Sequence, residues 1–257
     1  MFPDEYIALG GDEVSFGCAT AVKKEWLREH NLTADELLPY FWKRVTAEVL
    51  PHLNKTLSVW GTDQLGNLDP SIVPPGTVFN LYTQLDATLN TTAHRGVPGV
   101  LSAPYYLDQT QSYRMGPGGG LETHQTHQTP NQPTNQPRST PTPYRLDSAC
   151  GMPIHHINEV WKCFYASSPD DGVDDPALAA NTSLVMGGEA CIWGEGTTKW
   201  SIESQSLTGA SAVAERLWTG VASPTAESRL GDHVCLMNML GLRATAIGQG
   251  FCPADLV

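Results

Sequence analysis

The sequence has no long hydrophobic run and few basic residues. No apolar stretch approaches the roughly 18 residues that a membrane-spanning helix requires. Hydrophobic residues nevertheless make up 40% of the 257, and charged residues 16%. Fifteen Lys and Arg stand against 27 Asp and Glu, a net charge of −12, which repels the phosphates of nucleic acids and of anionic lipids. The composition therefore indicates a globular protein with no membrane span and no nucleic-acid partner.

The sequence also lacks the residue spacings of common zinc sites and the features of a signal peptide. Its eight His and six Cys form no Cys-x-x-Cys and no His-Glu-x-x-His motif. His155 and His156, and His124 and His127 in a polar stretch, are interpreted as solvent-facing side chains. We therefore predict no metal site and no cofactor. Residues 1–6 contain neither a basic region nor an apolar core.

Glycosylation sequons and cysteines favour the secretory pathway. Four Asn-x-Ser/Thr sequons are present, at Asn31, Asn54, Asn90 and Asn181. Together with six cysteines they predict a lysosomal or secreted glycoprotein. Because no signal peptide is visible, we expect the chain to begin partway through a longer protein. Six positions do not determine disulfide pairing. Cys235 and Cys252, on either side of a short helix and its following loop, are the most plausible local pair.

Strand-like apolar runs alternate with helical patterns along the chain. Apolar residues recur at helical spacing over about 19–52, as one or two segments, and again over about 206–218 and 226–247. The predicted strands are 6–9, 56–61, 77–82, 99–104 and 183–186. This alternation predicts an α/β protein with a parallel sheet, and polar or aromatic residues at the strand ends suit a (β/α)8 barrel.

A change in composition suggests three regions. Residues 1–114 carry the first four strands. Residues 115–153 are rich in Pro and Gly and contain short His-Gln-Thr and Asn-Gln-Pro repeats. Such a segment buries too little apolar surface to offset its ordering entropy, so we predict disorder there. Periodic structure resumes in 154–257.

Two adjacent carboxylates, Asp12 and Glu13, follow the first predicted strand and a Gly10-Gly11 pair. In α/β enzymes, catalytic groups lie at this end of a strand. Neighbouring residues in extended chain point in opposite directions, so the two acids can have different tasks. The alternative interpretation is that Asp12 only caps the helix that follows.

Five motifs in order give the chain a family resemblance. They are Ala8–Glu13, Val59–Trp60, Ser102–Asp108, Gly187–Glu195 and Ser211–Trp218. Together they resemble the β-N-acetylhexosaminidases of glycoside hydrolase family 20. The resemblance implies a partial (β/α)8 TIM barrel, about strands 4–8. The N-terminal strands, a small α+β domain, and an arginine and a histidine of the sugar site would be missing. It also pairs Cys235 with Cys252.

The resemblance assigns catalytic roles to three residues. Glu13 would be the general acid that protonates the glycosidic oxygen and then the base that activates water. Asp12 would hold the N–H of the substrate's 2-acetamido group while that group's oxygen attacks the anomeric carbon. This substrate-assisted route departs from the usual two-carboxylate scheme. Tyr106 would hydrogen-bond the acetamido oxygen. The negative charge of Asp12 would also help to keep Glu13 protonated.

Five further residues would bind the sugar. Trp60 and Trp193 resemble the aromatic walls of the family's pocket, because flat apolar sugar faces suit indole surfaces. Asp108 and Glu195 resemble the acceptors for the sugar's 4- and 6-hydroxyls. Tyr82 stands where the family usually has Trp, which makes one wall smaller. Taken singly, the tryptophans could be core residues and the carboxylates ordinary loop charges.

The function implied is that of an exo-β-N-acetylhexosaminidase, which removes terminal GlcNAc or GalNAc from glycoconjugates. The implied partner is a glycan substrate, and a homodimer is an expectation from the resemblance alone. The alternative is a truncated, catalytically inactive fragment, or an amino-sugar-binding remnant of such an enzyme. A barrel without three strands would leave two open sheet edges, which favours this alternative.

Overall fold

A computed structural model describes residues 3–12, 14, 21–60, 72–82, 96–108, 113–115, 121–123, 159–169, 182–194, 196–248 and 252. The chain divides into two compact units. The first comprises Met1–Ala103 and Pro169–Gly187, and the second Pro104–Ser168 and Gly188–Val257. Each unit is assembled from two separate stretches of chain.

The first unit is built on a five-stranded sheet. Its strands are β1 (Tyr6–Ala8), β2 (Thr56–Trp60), β3 (Val78–Leu81), β4 (Gly99–Leu101) and β7 (Val185–Gly188), in the spatial order β1-β2-β3-β4-β7. The pairs β1–β2, β2–β3 and β3–β4 are parallel. The parallel strands, with described helices between β1 and β2, confirm the predicted α/β class.

Two more strands, β5 (Tyr113–Met115) and β6 (Leu121–Thr123), form an antiparallel pair. They lie at the start of the segment predicted to be disordered. The remainder of that segment, 116–120 and 124–153, lies outside the described residues.

Alternation along β2 separates the two faces of the sheet. Leu57 and Val59 are buried, whereas Thr56, Ser58 and Trp60 are partly exposed. The buried set joins one apolar core, consisting of Leu38, Trp42, Leu50, Leu57, Val59, Ile72, Phe79, Leu81 and Leu101. Strand side chains alternate between faces, so the core lies on one face and Trp60 on the other.

The helical stretch of the first unit is interrupted twice. It contains α1 (Ala21–Glu29), α2 (Leu37–Arg44), a π-helical turn (Val45–Val49) and α3 (Leu50–Leu53). Helix was predicted over about 19–52 as one or two segments; residues 30–36 separate α1 from a second, continuous helical segment over 37–53. In the π-turn the N–H of Leu50 donates to the carbonyl of Val45, five residues back. Pro51 follows at once, and proline has no N–H and crowds the preceding helical turn, which favours such a widened turn.

An asparagine in the left-handed region ends α1. Asn31 has φ 52°, its N–H donates to Arg28 O at 3.2 Å, and the Leu32 N–H donates to Leu27 O at 2.9 Å. These two bonds form a Schellman motif, which satisfies carbonyls at the helix end. Asn54, which caps α3, is also left-handed, with φ 50°. Both asparagines are exposed sequon residues, while Asn90 and Asn181 lie outside the described residues.

The second unit is mainly helical. It contains α4 (Val160–Ala166), α5 (Ile202–Thr219) and α6 (Ala226–Met239). Helix α5 begins about four residues earlier than predicted. The prediction for α6 was wrong at its end, because the helix stops at Met239 rather than 247. Gly241 has φ 87°, its N–H donates to Asn238 O, and the Leu242 N–H donates to Met237 O, a second Schellman motif.

Two covalent links and one polar network stabilise these helices. Cys235 and Cys252, the pair implied by the resemblance, form a disulfide with Cα atoms 5.4 Å apart. Cys163 is also disulfide-bonded. Tyr165 on α4 donates through its hydroxyl to Glu215 Oε1 on α5 at 2.7 Å, and Arg229 on α6 forms an ion pair with Glu215. The hydrogen bonds from Arg229 and then Tyr165 lower the pKa of Glu215.

No helix within the described part of the chain is both long and apolar enough to cross a bilayer.

Candidate active site

The turn after β1 leads from the end of that strand to Asp12 and is hydrogen-bonded to the end of β2. Gly10 and Gly11 have φ of 69° and 104°, a left-handed geometry that side chains rarely adopt. The parallel hydrogen bonding between β1 and β2 continues into this turn. Leu9 N donates to Ser58 O at 3.0 Å, and Trp60 N donates to Gly10 O at 3.1 Å. Asp12, two residues further on, is partly exposed. Glu13 lies outside the described residues.

Trp60 and Tyr82 meet at neighbouring strand ends. Trp60 is the last residue of β2, and Tyr82 directly follows β3. Their ring centroids are 5.9 Å apart and their planes cross at 73°, an edge-to-face contact. Both side chains are partly exposed. The structure therefore brings together two of the predicted sugar-binding residues in the first unit, with apolar ring surface still accessible.

A polar pair beneath these rings was missed by the sequence analysis. Ser58 Oγ donates to Asn80 Oδ1 at 2.7 Å, and Asn80 is buried. Ser58 precedes Trp60 by two residues, and Asn80 precedes Tyr82 by two, so each shares a strand face with its aromatic partner. The sequence feature that could have predicted this pair is a polar residue two positions before each aromatic residue at a strand end. The hydrogen bond joins β2 to β3 through side chains next to the candidate site.

The second unit contains the other aromatic pair. Tyr106 and Cys191 form an isolated parallel bridge, in which Leu107 N donates to Cys191 O at 2.7 Å and Cys191 N to Tyr105 O at 3.0 Å. Two residues beyond Cys191, the ring of Trp193 lies 6.2 Å from that of Tyr106, with the planes tilted by 31°. The structure thus brings together the predicted acetamido-orienting tyrosine and one predicted aromatic wall.

Burial alternates along the segment that carries Tyr106. Tyr105 and Leu107 are buried in a core with Val160, Phe164 and Val213, whereas Tyr106 and Asp108 are partly exposed. Tyr105 also donates through its hydroxyl to Ser167 O at 3.2 Å. These buried neighbours turn Tyr106 and Asp108 away from the helices. Glu195, the other predicted hydroxyl acceptor, lies outside the described residues.

The side chains at each of the two aromatic pairs, Trp60–Tyr82 and Tyr106–Trp193, are of the kinds that bind carbohydrates. Partly exposed aromatic rings offer flat apolar surface. Asp12, two residues after the Gly10 that accepts from Trp60 N, and Asp108, two residues after Tyr106, offer hydrogen-bond acceptors. Among the described residues, no group of three or more His, Cys, Asp or Glu could hold a metal ion.

Comparison with protein families gives a match over most of the chain. Residues 1–221 match the family described as "Glycosyl hydrolase family 20, catalytic domain". This span includes every predicted catalytic and sugar-binding residue, both those described by the structure and Glu13 and Glu195.

Curated relatives and solved structures agree with this match. The β-hexosaminidase subunit beta of Homo sapiens is 26% identical over 98% of this chain, and β-hexosaminidase 3 of Arabidopsis thaliana is 26% identical over 97%. The chain spans 38% of the length of each. An inactive mutant of a family 20 exo-β-N-acetylglucosaminidase from Vibrio harveyi has the same fold, with a TM-score of 0.63 and 19% identity. That superposition covers 96% of this chain and 34% of the other.

Proposed function

Since the chain belongs to glycosyl hydrolase family 20, whose catalytic-domain description it matches over residues 1–221, we propose that it is an exo-β-N-acetylhexosaminidase. Its substrates would be glycoconjugates that end in β-linked N-acetylglucosamine or N-acetylgalactosamine. The curated relatives are named β-hexosaminidases, in agreement with this substrate class.

The observation that carries the proposal is the Trp60–Tyr82 pair. Its rings stand at the ends of β2 and β3, and the N–H of Trp60 is bonded to Gly10, two residues before Asp12. An apolar wall beside a carboxylate is what a sugar pocket requires, because a sugar presents C–H groups on its faces and hydroxyls on its edges.

Catalysis would use the substrate's own acetamido group. Glu13 donates its proton to the glycosidic oxygen as the C–O bond breaks, and the acetamido oxygen attacks the anomeric carbon. Asp12 accepts a hydrogen bond from the acetamido N–H and stabilises the positive charge that develops on the cyclic intermediate. Tyr106 donates to the acetamido oxygen and orients it. Water, deprotonated by Glu13, then opens the ring with overall retention of configuration.

The remaining site residues would bind the terminal sugar. Trp60, Tyr82 and Trp193 would surround the ring and the acetamido methyl group, while Asp108 and Glu195 would accept hydrogen bonds from the 4- and 6-hydroxyls. A carboxylate can accept from either epimer at C4. The proposal therefore includes both GlcNAc and GalNAc, and parallel assays with the two aryl glycosides measure the preference.

A split between turnover and binding tests the role of Glu13. Glu13→Gln removes the transferable proton but keeps the shape of the side chain. We expect turnover to fall by about 10²–10⁴-fold, while the affinity for a thiazoline inhibitor, which imitates the cyclic intermediate, changes little. Glu5→Gln, an exposed carboxylate before β1, is the matched control and should leave both quantities unchanged. Equal loss of turnover and inhibitor binding in Glu13→Gln would contradict the acid/base role.

We also propose a lysosomal or secreted glycoprotein that forms a homodimer. The sequons and the disulfides support the location, and family resemblance supports the dimer. Expression through a secretory host followed by peptide mass spectrometry tests the four sequons. Light scattering at about pH 5 measures the oligomeric state, and a monomer across micromolar concentrations would contradict the dimer.

A further inference from the structure

An open groove lies on the helical side of the first unit, formed by α1, α2 and the π-turn. Its volume is about 380 Å³, and its lining includes Trp26, Leu37, Tyr40, Phe41, Arg44 and Glu48. Phe41 is 54% exposed, an unusual fraction for so large an apolar side chain. The volume is within the range of pockets that hold small ligands.

The aromatic rings of this groove are held in fixed positions. Trp26 and Tyr40 contact edge to face, with centroids 5.5 Å apart and planes at 73°. His30 stacks on Trp26 at 3.9 Å, and its Nδ1 lies 2.8 Å from the Trp26 carbonyl oxygen. Arg44 Nε donates to Glu48 Oε1 at 2.8 Å within the groove lining. The groove therefore combines flat apolar faces with a polar pair that can bond hydroxyl groups.

The sequon residue Asn31 follows His30, whose ring contacts both Trp26 and Tyr40 of the groove lining. Asn31 is exposed and occupies the left-handed position of the Schellman motif. Trp26 precedes it by five residues, about 7.5 Å along a helix axis. The hydroxyl of Thr33, the third sequon residue, donates to Glu36 Oε2 at 2.9 Å, and this bond fixes the loop between the helices.

We propose that an N-linked glycan on Asn31 folds back and occupies this groove, with its first amino-sugar rings against Trp26, Tyr40 and Phe41. This inference rests on the proposed glycosylation of the chain and is independent of catalysis. Amino sugars have the apolar ring faces and polar edges that the groove matches. The attached glycan needs no diffusional encounter, because its linkage supplies a high effective concentration.

Asn54 provides a matched control within the same unit. It is also an exposed sequon residue with left-handed φ at a helix end, and the nearest aromatic of the groove lining in sequence, Phe41, precedes it by 13 residues. Enzymatic removal of an N-glycan converts Asn to Asp, which tolerates the left-handed region as well. Asn31→Asp and Asn54→Asp therefore reproduce the deglycosylated backbone at one site each.

The test compares melting temperatures before and after enzymatic deglycosylation of the full chain from a secretory host. We expect deglycosylation to lower Tm by about 2–4 °C in the unsubstituted protein and in Asn54→Asp. The shift should disappear in Asn31→Asp and in Phe41→Ser, which removes part of the groove surface. Trp200→Ser, at another exposed aromatic in the second unit, should retain it.

Each contrary result overturns the inference in a distinguishable way. If mass spectrometry finds no glycan on Asn31, the proposed glycosylation fails at this site. If Asn31 is glycosylated but deglycosylation still lowers Tm in Phe41→Ser, or in the milder second variant Trp26→Leu, the glycan does not occupy the groove. If unglycosylated protein associates through the groove and Phe41→Ser abolishes that association, a second copy is the occupant.

Discussion

The two compact units hold an aromatic pair of the candidate site by different means. In the first unit, Trp60 and Tyr82 extend from strands that are hydrogen-bonded along their length, with continuous parallel register from β1 to β4. In the second, Tyr106 and Trp193 depend on one isolated bridge between Tyr106 and Cys191. The first pair is supported mainly by backbone hydrogen bonds, and the second mainly by packing of the residues beside it.

Helices replace the sheet as the support of the second pair. Tyr105 and Leu107, on either side of Tyr106, are buried against α4 and α5. Helix α4 carries the disulfide-bonded Cys163, and the Tyr165–Glu215–Arg229 network connects α4 and α5 to α6, which carries the Cys235–Cys252 disulfide. Similar strand-end placement can therefore be sensitive to quite different substitutions. We expect substitutions in the core that α4 and α5 form with Tyr105 and Leu107 to disturb Tyr106 and Trp193. The backbone hydrogen bonds between β2 and β3, which support Trp60 and Tyr82, should remain intact.

Phe164→Ala should have the largest effect. Phe164 is 1% exposed and packs with Tyr105 and Leu107, so truncation leaves a cavity beneath Tyr106. We expect a loss of about 3–5 kcal/mol in the free energy of unfolding, measured by urea titration. Trp42→Ala, equally buried in the core of the first unit, should cost a similar amount.

The same variants test which pair moves. Exchange of backbone amide hydrogens should accelerate at Leu107 and Cys191 in Phe164→Ala under native conditions. In Trp42→Ala the acceleration should fall on β2 and β3. If amide exchange accelerated uniformly over both units in both variants, the two aromatic pairs would not be supported in different ways.

Loss of the Cys235–Cys252 disulfide should have the next largest effect. The bond closes a loop of 17 residues, for which chain entropy gives about 3 kcal/mol. Cys252→Ser is the better variant, because Cys252 is partly exposed and Cys235 is buried. Urea unfolding with and without a reductant measures the change. A Cys252→Ser protein as stable as the oxidised parent would show that this link does not support the helices.

Acid should weaken the second unit through Glu215. The pKa of Glu215 is lowered in the folded state by Arg229 and Tyr165, below its ordinary value of 4.5. Its stabilising contribution is therefore complete above that value and is lost as the pH falls through the folded pKa. We expect Glu215→Gln to cost about 1 kcal/mol at pH 6 and to reduce the acid dependence of Tm.

Glu203→Gln is the matched control for this pH dependence. Glu203 also has a lowered pKa, caused by the backbone N–H and then the side chain of Arg243, but it lacks a buried partner such as Tyr165. Its substitution should change the acid dependence less. A larger effect at Glu203 than at Glu215 would contradict the importance assigned to the network.

Gly209→Ala should have a small effect, because two opposing contributions partly cancel. A Cβ added at Gly209 on α5 would lie 2.9 Å from Leu107 Cδ2 and 3.1 Å from Phe164 Cε2. Crowding costs about 1–3 kcal/mol, but Ala favours helix over Gly by about 1 kcal/mol. We expect a net loss of at most about 2 kcal/mol in thermal unfolding, whereas Ser206→Ala on the exposed side of α5 should be neutral. Stabilisation by Gly209→Ala would show that the segment carrying Tyr106 can shift freely.

The sequence predicted the parts of the molecule that depend on periodicity. Strand-like apolar runs located β2, β3 and β4, and the family resemblance selected Trp60, Tyr82, Tyr106 and Trp193, whose rings the structure brings together in two pairs. The sequence did not predict the end of α6, which is determined by the backbone conformation of one residue. Apolar spacing continues past Met239, but the left-handed Gly241 ends α6.

The sequence also did not predict which side chains form pairs. The Ser58–Asn80 hydrogen bond depends on the register of β2 against β3, which pairs Trp60 with Asn80. A sequence does not fix that register residue by residue. The groove beside Asn31 likewise depends on how α1 and α2 pack, and helical spacing alone does not give that arrangement.

Release of chromophore from an aryl β-N-acetylglucosaminide tests the central claim most directly. The measurement uses the purified full chain at about pH 4–5, a range suited to a carboxylic general acid, with Glu13→Gln as the control. We predict turnover that is lost with Glu13. Soluble, folded chain without turnover would contradict the proposed activity, and its motifs would then record ancestry rather than function.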